Sequence, residues 1–484
     1  MSFSRYLAVI NTALLEIVLP DLQSTRAKEF TEGCVRALAA IAANLEAPSS
    51  EQLNSLDTAS LPAELARVAR FAAPDRTLHL PAGTPVEDWA ISNGTLPITD
   101  AGSKWLAAHD WDHDAEQRMA AAALIGWEHS LRVAALSRVD ALEKGLVESP
   151  AGVDKTPDVH TAALETYLRA RLQAPSLTIK KFKFLPGGRS RQTALFSISG
   201  YDGLPEQMVV QRDHPTYFTY SVTSQFPLLA RLHAAGLKVP LPYLLEAERH
   251  WLGAPFMVVE RLPGEPPVSG MNYFQAPPAS PTLAKDLARE LARLHRLPVD
   301  DVASFLPRTI AAGEDWASDI TKWEESWNRM AHLPSMVFAA AIAWMRQHVG
   351  CVEAIDVIVH TDPLFHNILA ENELITGLLD WEATAIGHPG EDIGYVKPVI
   401  EQMMEWDEFM AAYYANGGPL MTTEQIDYFT IRSLVRLIVY IMITRETFET
   451  GKTDDPSRPE VGASFLPKLF HRLGAQLCAI IQKS

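Results

Sequence analysis

Residues 357–395 read VIVHTDPLFHNILAENELITGLLDWEATAIGHPGEDIGY, and this stretch decides the reading of the chain. Polar groups crowd an otherwise apolar segment: His360, Asp362 and Asn367 in the spacing H-x-D-x-x-x-x-N, then Asp380 at the end of ITGLLDW, then Asp392. The segments ending at Asn367 and Asp380 are short enough to pair as a small hairpin, which would set both residues at one end, facing a common site. Such a set suits phosphoryl transfer. One carboxylate orients an attacking hydroxyl and takes its proton, while a carboxylate and an amide oxygen hold Mg²⁺ on nucleotide phosphates. Magnesium favours hard oxygen ligands and keeps water and phosphate oxygens in its other positions. A buried turn capped by Asp and Asn would give the same short pattern, so the reading leans on Asp380 and on the segments upstream.

Upstream, alternating residues in LTIKKFKFLPGG (177–188), TALFSISGY (193–201) and EQMVVQRDHP (206–215) predict three antiparallel strands. The loop joining the first two carries Gly187, Gly188, Arg189 and Ser190, where glycine lets backbone N–H groups approach phosphates. A Gly-Gly pair between strands also serves as a plain hairpin turn. Arg212, at the end of the third strand, is the candidate cation for the α/β-phosphates, or else a solvated strand-end arginine. A helix (SQFPLLARLHAAGL), the segment VPLPYLLEAE and the strand PFMVVERL follow. Backbone groups from Glu260 to Leu262 are candidates for hydrogen bonds to an adenine edge. From Pro281 onward the pattern is helical, beginning with PTLAKDLARELARLHRL.

The chain of 484 residues is long enough for two or three domains. Residues 1–150 read as helices, in SRYLAVINTALLEIVLPDL, STRAKEFTEGCVRALAAIAANLE and AEQRMAAAALIGWEHSLRVAALSRVDALEKGL, with a Pro-, Gly- and Thr-rich loop over 74–100. His109, Asp110, Asp112 and His113 in HDWDHD suggest a metal site or, at a helix start, caps and dipole partners; the second is favoured. VESPAGVDKTPDVH (147–160) is a linker by composition. A net charge of −17 argues against nonspecific nucleic-acid binding. No apolar run has the ~18–20 residues of a membrane span. The N-terminus reads as a helix and not a signal peptide, and three scattered cysteines point to a cytoplasmic protein with reduced thiols.

In GGRSRQT, PFMVVERLPG, LARELARLH, TKWEESW, VHTDPLFHNIL and LLDWEATAIGHPGEDIGY, residues 160–480 resemble the aminoglycoside phosphotransferase-like family. The likeness is to the branch associated with acyl-CoA dehydrogenases. The resemblance implies an α+β, two-lobed protein-kinase-like fold, with a small antiparallel β-sheet lobe and a larger helical lobe. An all-α domain precedes it here. The expected domains are 1–150, a helical accessory domain; 151–262, the small lobe with its linker; and 263–484, the helical lobe. The resemblance further implies ATP and Mg²⁺ as cofactors, Asp362 as catalytic base, Asn367 and Asp380 as metal ligands, and a structural role for His360. Asp392 is expected to buttress the loop through backbone or His360, Glu382 to stand beside the metal ligand, and His366 to be structural.

Three positions depart from the family. Thr361 stands where glycine is usual, which an ordinary backbone region would tolerate. The nucleotide cation is ambiguous between Arg212 and a frame that puts Gln211 there. Gln225 stands where the next helix is expected to carry glutamate.

The leading expectation is a phosphotransferase acting on a hydroxyl of a small molecule, with a hydroxyacyl-CoA as the acceptor the branch suggests. The rival acceptor is an aminoglycoside, drawn to acidic residues of segment 300–330 such as Asp300, Asp301, Asp319 and Glu324. A CoA ester would need Arg308, Lys322, Arg329 or Lys397 near the cleft. A reading of another class is a nucleotide-binding pseudokinase whose helical domain makes it an interaction module. The helical domain is also a candidate homodimer contact. No nucleic-acid or membrane partner is expected.

Overall fold

The computed structural model describes residues 96–143, 161–185, 191–213, 221–268, 276–278, 280–331, 334–450, 452 and 457–483. The helices expected before residue 74, the linker 147–160 and the loop residues Gly187, Gly188, Arg189 and Ser190 lie outside them. In chain order the described elements are α1 (Leu96–Ala108), α2 (Ala115–Glu143), α3 (Thr161–Leu172), β1 (Thr178–Leu185), β2 (Arg191–Ser199), β3 (Gln207–Asp213), α4 (Val222–Ala234), β4 (Pro242–Glu246) and β5 (Phe256–Glu260). They continue with α5 (Pro281–His295), α6 (Val299–Val302), α7 (Trp316–Met330), α8 (Met336–His348), β6 (Val357–Val359), β7 (Ile368–Glu371), β8 (Leu374–Leu378) and β9 (Ala385–Gly387). The last four are α9 (Gly390–Ile400), α10 (Trp406–Ala415), α11 (Thr423–Glu449) and α12 (Ser457–Lys483).

The three expected strands are β1, β2 and β3, and they join β5 and β4 in one antiparallel sheet of order β1-β2-β3-β5-β4. Strand alternation sorts its faces. Ala194, Phe196 and Ile198 of β2 with Met208 and Val210 of β3 form one face, buried with Phe256 and Val258 of β5. Leu164, Tyr167 and Leu168 of α3, at helical spacing, cover that face, and Tyr167 meets Phe256 edge-on at 4.8 Å. Burying each such side chain stabilises the lobe by about 1.5–3 kcal/mol relative to exposure. The opposite face carries Arg191, Thr193, Gln211 and Asp213, since Arg191 stands opposite Asp213 and Thr193 opposite Gln211. Asp213 starts α4 from this side: its carboxylate accepts from the Ser221 hydroxyl at 2.6 Å and from Val222 N–H at 2.9 Å.

β7 and β8 form the expected hairpin, with Ile368 opposite Leu378, and Leu379 N–H donates to Asn367 C=O at 2.8 Å. Asn367 and Asp380 therefore flank one end of it. The chain leaving β5 is tied to β7 by a backbone pair between Glu265 and Ala370. A five-stranded antiparallel lobe followed by helices and this hairpin is the kinase-like phosphotransferase fold expected from the sequence.

Two compact units divide the chain. One holds residues 149–312 and 354–422, with the sheet, α5 and the hairpin. In the other, the described residues 96–143 group with 313–353 and 423–484. Its helices include α7, α8, α11 and α12, which chain order placed with the helical lobe. Glu128 of α2 explains one such grouping: its carboxylate accepts from the Ser335 hydroxyl at 2.8 Å and from Val337 N–H at 2.9 Å, capping α8. The helix α1 begins at Leu96, inside the stretch read as loop from composition. In HDWDHD the cap is Asp114, which accepts from Gln117 N–H at 2.9 Å, while Asp112 pairs with His348 at 2.7 Å.

Candidate active site

The loop between β6 and β7 is shaped by buried polar contacts. Asp392, in the first turn of α9 and fully buried, accepts from His360 N–H at 2.8 Å and Thr361 N–H at 2.7 Å. His360 bonds Leu379 C=O through Nε2 at 2.8 Å and lies against Trp381, with ring centroids 4.5 Å apart. Burial holds its imidazole below the usual range, so the ring is neutral and structural, as expected. His295, at the end of α5, joins Asp392 at 3.0 Å and the Tyr413 hydroxyl at 2.7 Å. The sequence reading gave His295 no role, although it ends the LARELARLH motif.

Thr361 departs from expectation. Its backbone is left-handed, with φ 73°, which a β-branched residue adopts only under constraint. The constraint is visible: Asp392 grips its N–H, and its hydroxyl donates to Ala383 C=O at 3.2 Å.

This loop presents Asp362. Asn367 Nδ2 donates to Asp362 C=O at 3.0 Å and to its Oδ2 at 3.1 Å. His366, expected to be structural, reaches the same oxygen, with Nε2 at 3.4 Å. Burial alone would raise the Asp362 carboxyl, but hydrogen bonds from His366 and Tyr395 and the nearby imidazole hold it below its ordinary value. Asp362 is therefore a carboxylate at neutral pH, and its Oδ1 has no hydrogen-bond partner among the described residues.

Asp380 behaves in the opposite way. It occupies the left-handed region with φ 62°, at the turn from β8. Burial, reinforced by Glu382 and Asp362, pushes its pKa up to about 7, against the pull of Arg191 and His366. Crowded carboxylates that resist ionising together are a donor set a divalent cation relieves. With the amide of Asn367 they are hard oxygen ligands of the kind magnesium takes. The residues present thus fit the ion: Asn367 and Asp380 would hold it, with Glu382 beside them.

Arg212, expected either at the α/β-phosphates or in solvent at the strand end, is in neither place. Arg212 shares the parity of Met208 and Val210, so it points into the core face of the sheet. There it is 1% exposed and donates to Leu252 C=O at 2.8 Å. The other face carries Arg191, the first residue of β2, directly after the glycine-rich loop. Arg191 Nη1 donates to Gln225 Oε1 of α4. Its Nε lies 3.9 Å from Asp213 and its Nη2 3.7 Å from Glu382. Gln225, flagged as a missing glutamate, thus serves as the helix's partner for an arginine.

At the hinge, Glu260 Oε2 accepts from Leu241 N–H at 3.1 Å, and its backbone pairs with both neighbouring strands. Leu262 lies against Gly377 of β8, where an added Cβ would come within 2.6 Å of it.

The chain is similar to several known proteins. A family model described as the phosphotransferase enzyme family matches residues 181–425. Mouse acyl-CoA dehydrogenase family member 10 is 24% identical over 255 residues, which is 50% of this chain and 22% of that protein. Rat acyl-CoA dehydrogenase family member 11 is 21% identical over 267 residues, 49% of this chain and 32% of that protein. The matches thus span a third or less of those relatives' own lengths. Among solved structures, a protein from Ralstonia eutropha described as a putative aminoglycoside phosphotransferase is 15% identical with TM-score 0.49, covering 67% of this chain and 98% of that one. A macrolide 2′-phosphotransferase from Brachybacterium faecium is 20% identical with TM-score 0.45, covering 63% and 97%.

Proposed function

The chain belongs to the phosphotransferase enzyme family, and from that premise we propose that it is an ATP- and Mg²⁺-dependent kinase acting on a hydroxyl of a small molecule, with a hydroxyacyl-CoA or its free acid as acceptor. The observation that supports this is the convergence of Asp362, Asn367 and Asp380 at one end of the β7–β8 hairpin. An acceptor hydroxyl set against Asp362 gives its proton to that carboxylate while its oxygen bonds the γ-phosphorus and the bond to ADP breaks. Asp362 is poised for this by being ionised and held in place by Asn367 and His366. Magnesium, when bound, neutralises phosphate oxygens and aligns them for in-line transfer. The acyl acceptor rests on the two relatives named for acyl-CoA dehydrogenases.

Surface charge does not favour the aminoglycoside reading. Asp319 pairs with Arg432 at 2.6 Å, Glu314 with Lys322 at 2.5 Å and Glu324 with Arg346 at 2.5 Å, so these acids carry their own counterions. The cations considered for CoA are also paired, Arg308 with Asp356, Arg329 with Glu446 and Lys397 with Glu401. The test is ATP consumption with Mg²⁺ against hydroxyacyl-CoAs, hydroxy acids, aminoglycosides and amino alcohols. Turnover is expected with the acyl class. Asp362→Asn should lower kcat about 10²–10⁴-fold and leave ATP affinity within about twofold. Bound ATP with no acceptor-dependent turnover would overturn the proposal and favour a pseudokinase, and turnover indifferent to Asp362→Asn would overturn Asp362 as the base.

A further inference from the structure

Arg191 is a buried guanidinium with more donors than acceptors. It is 5% exposed, and Nη1 has Gln225. Nε and Nη2 have no hydrogen-bond acceptor among the described residues. The carboxylates of Asp213 and Glu382, at 3.9 and 3.7 Å, are near enough to offset the charge but too far to accept a hydrogen bond. Leaving such donors unmet in a buried setting is costly, and a bound acceptor removes that cost. Nε and Nη2 form one edge of the guanidinium, the fork that grips two oxygens of a phosphate or carboxylate side by side.

The placement of this edge is informative. Arg191 follows the loop 186–190 directly, and it reaches Glu382, two residues past Asp380. It therefore bridges the sheet, α4 and the hairpin end that carries the carboxylates. On β3 the residue of the same face is Gln211, which has no charge, while Arg212 is turned into the core. We propose that Arg191 supplies from β2 the phosphate-binding cation that β3 lacks, gripping the phosphates of the nucleotide through its Nε–Nη2 edge. This rests on the reading of the site as a nucleotide site and adds which strand holds the phosphates. Asp213, Gln225 and Glu382 position the guanidinium.

The test is calorimetric binding of ATP, ADP and adenosine to the full chain with Mg²⁺. Arg191→Gln should weaken ATP and ADP about tenfold to a hundredfold, the loss of charged hydrogen bonds, and leave adenosine within about twofold. Adding Gln211→Arg to that variant should return most of the lost affinity by restoring a cation on the same face of the sheet. Gln211→Glu, at a half-buried position, keeps Arg191 and sets a carboxylate beside the phosphates. It should weaken ATP but not adenosine, and it carries the test if Arg191→Gln does not fold. Equal losses for all three ligands, or ATP affinity indifferent to Arg191→Gln and to Gln211→Glu, overturn the proposal. So does a double variant with no recovery. Failure of the unsubstituted protein to bind ATP would instead remove the nucleotide reading itself.

Discussion

Thr361 stores strain in a left-handed backbone, the conformation glycine adopts freely. A left-handed β-branched residue costs about 1–2 kcal/mol, and its hydroxyl bond to Ala383 C=O returns about 1 kcal/mol. Thr361→Gly should therefore change stability by less than about 1 kcal/mol, whereas Thr361→Val, which keeps the strain and loses the bond, should lower it by about 1–2 kcal/mol. Urea unfolding of both variants checks this, and a larger loss in Thr361→Gly would contradict the strain. The left-handed backbone was not legible in the sequence, because it is imposed by Asp392, whose grip on two N–H groups is a long-range contact. The choice between arginines failed for a related reason. Arg212 sits at the end of an obvious strand, but the parity that turns it inward follows from which face α3 covers. Arg191 was hidden by standing in a glycine-rich motif. Asp362, Asn367 and Asp380, by contrast, were readable from spacing, since a short hairpin leaves few ways to arrange them.

At the scale of elements, the hairpin and sheet were legible because alternation and turn residues are local signals. The supports beneath the hairpin were not. Asp286 and Glu290 of α5, both 1% exposed, pair with Lys238 at 3.2 and 3.1 Å, and Asp286 also accepts from Ile375 N–H of β8 at 2.9 Å. In sequence these look like an ordinary charged helix face. α9 plays the matching part on the other side, presenting Asp392 to the loop between β6 and β7. Asp392→Asn keeps the volume but faces one N–H donor with another. It should destabilise the protein by about 2–4 kcal/mol and lower kcat more than it raises KM for ATP. Denaturant unfolding and steady-state kinetics measure both, and an unchanged kcat would deny the loop its dependence on α9.

At the scale of the molecule, the chain passes between its two units at 148/149, 312/313, 353/354 and 422/423. The helical unit is thus knit from separate stretches, and His348 is one of its fastenings. Its Nε2 meets Asp112 at 2.7 Å and its Nδ1 meets Glu424 at 2.9 Å, joining three stretches of sequence. Burial lowers the His348 pKa, but bonds to the two carboxylates outweigh it and raise the value above 6.5. Stability from this group is full below pH 6.5 and is lost as pH rises through the raised pKa. Asp112, despite burial, is held below 3.8 by His348, so its share is lost only in acid. His348→Gln should cost about 1 kcal/mol near pH 6 and little near pH 9, read from urea midpoints across that range. A pH-independent loss would exclude the charged pair. Glu128 has a consequence for how such a gene can be cut and joined. Because it caps α8 from a stretch encoded far upstream, a transplanted segment beginning at residue 151 would carry Ser335 and Val337 into a new host with their acceptor left behind. Recombination that keeps this cap must take the coding sequence for Glu128 with it.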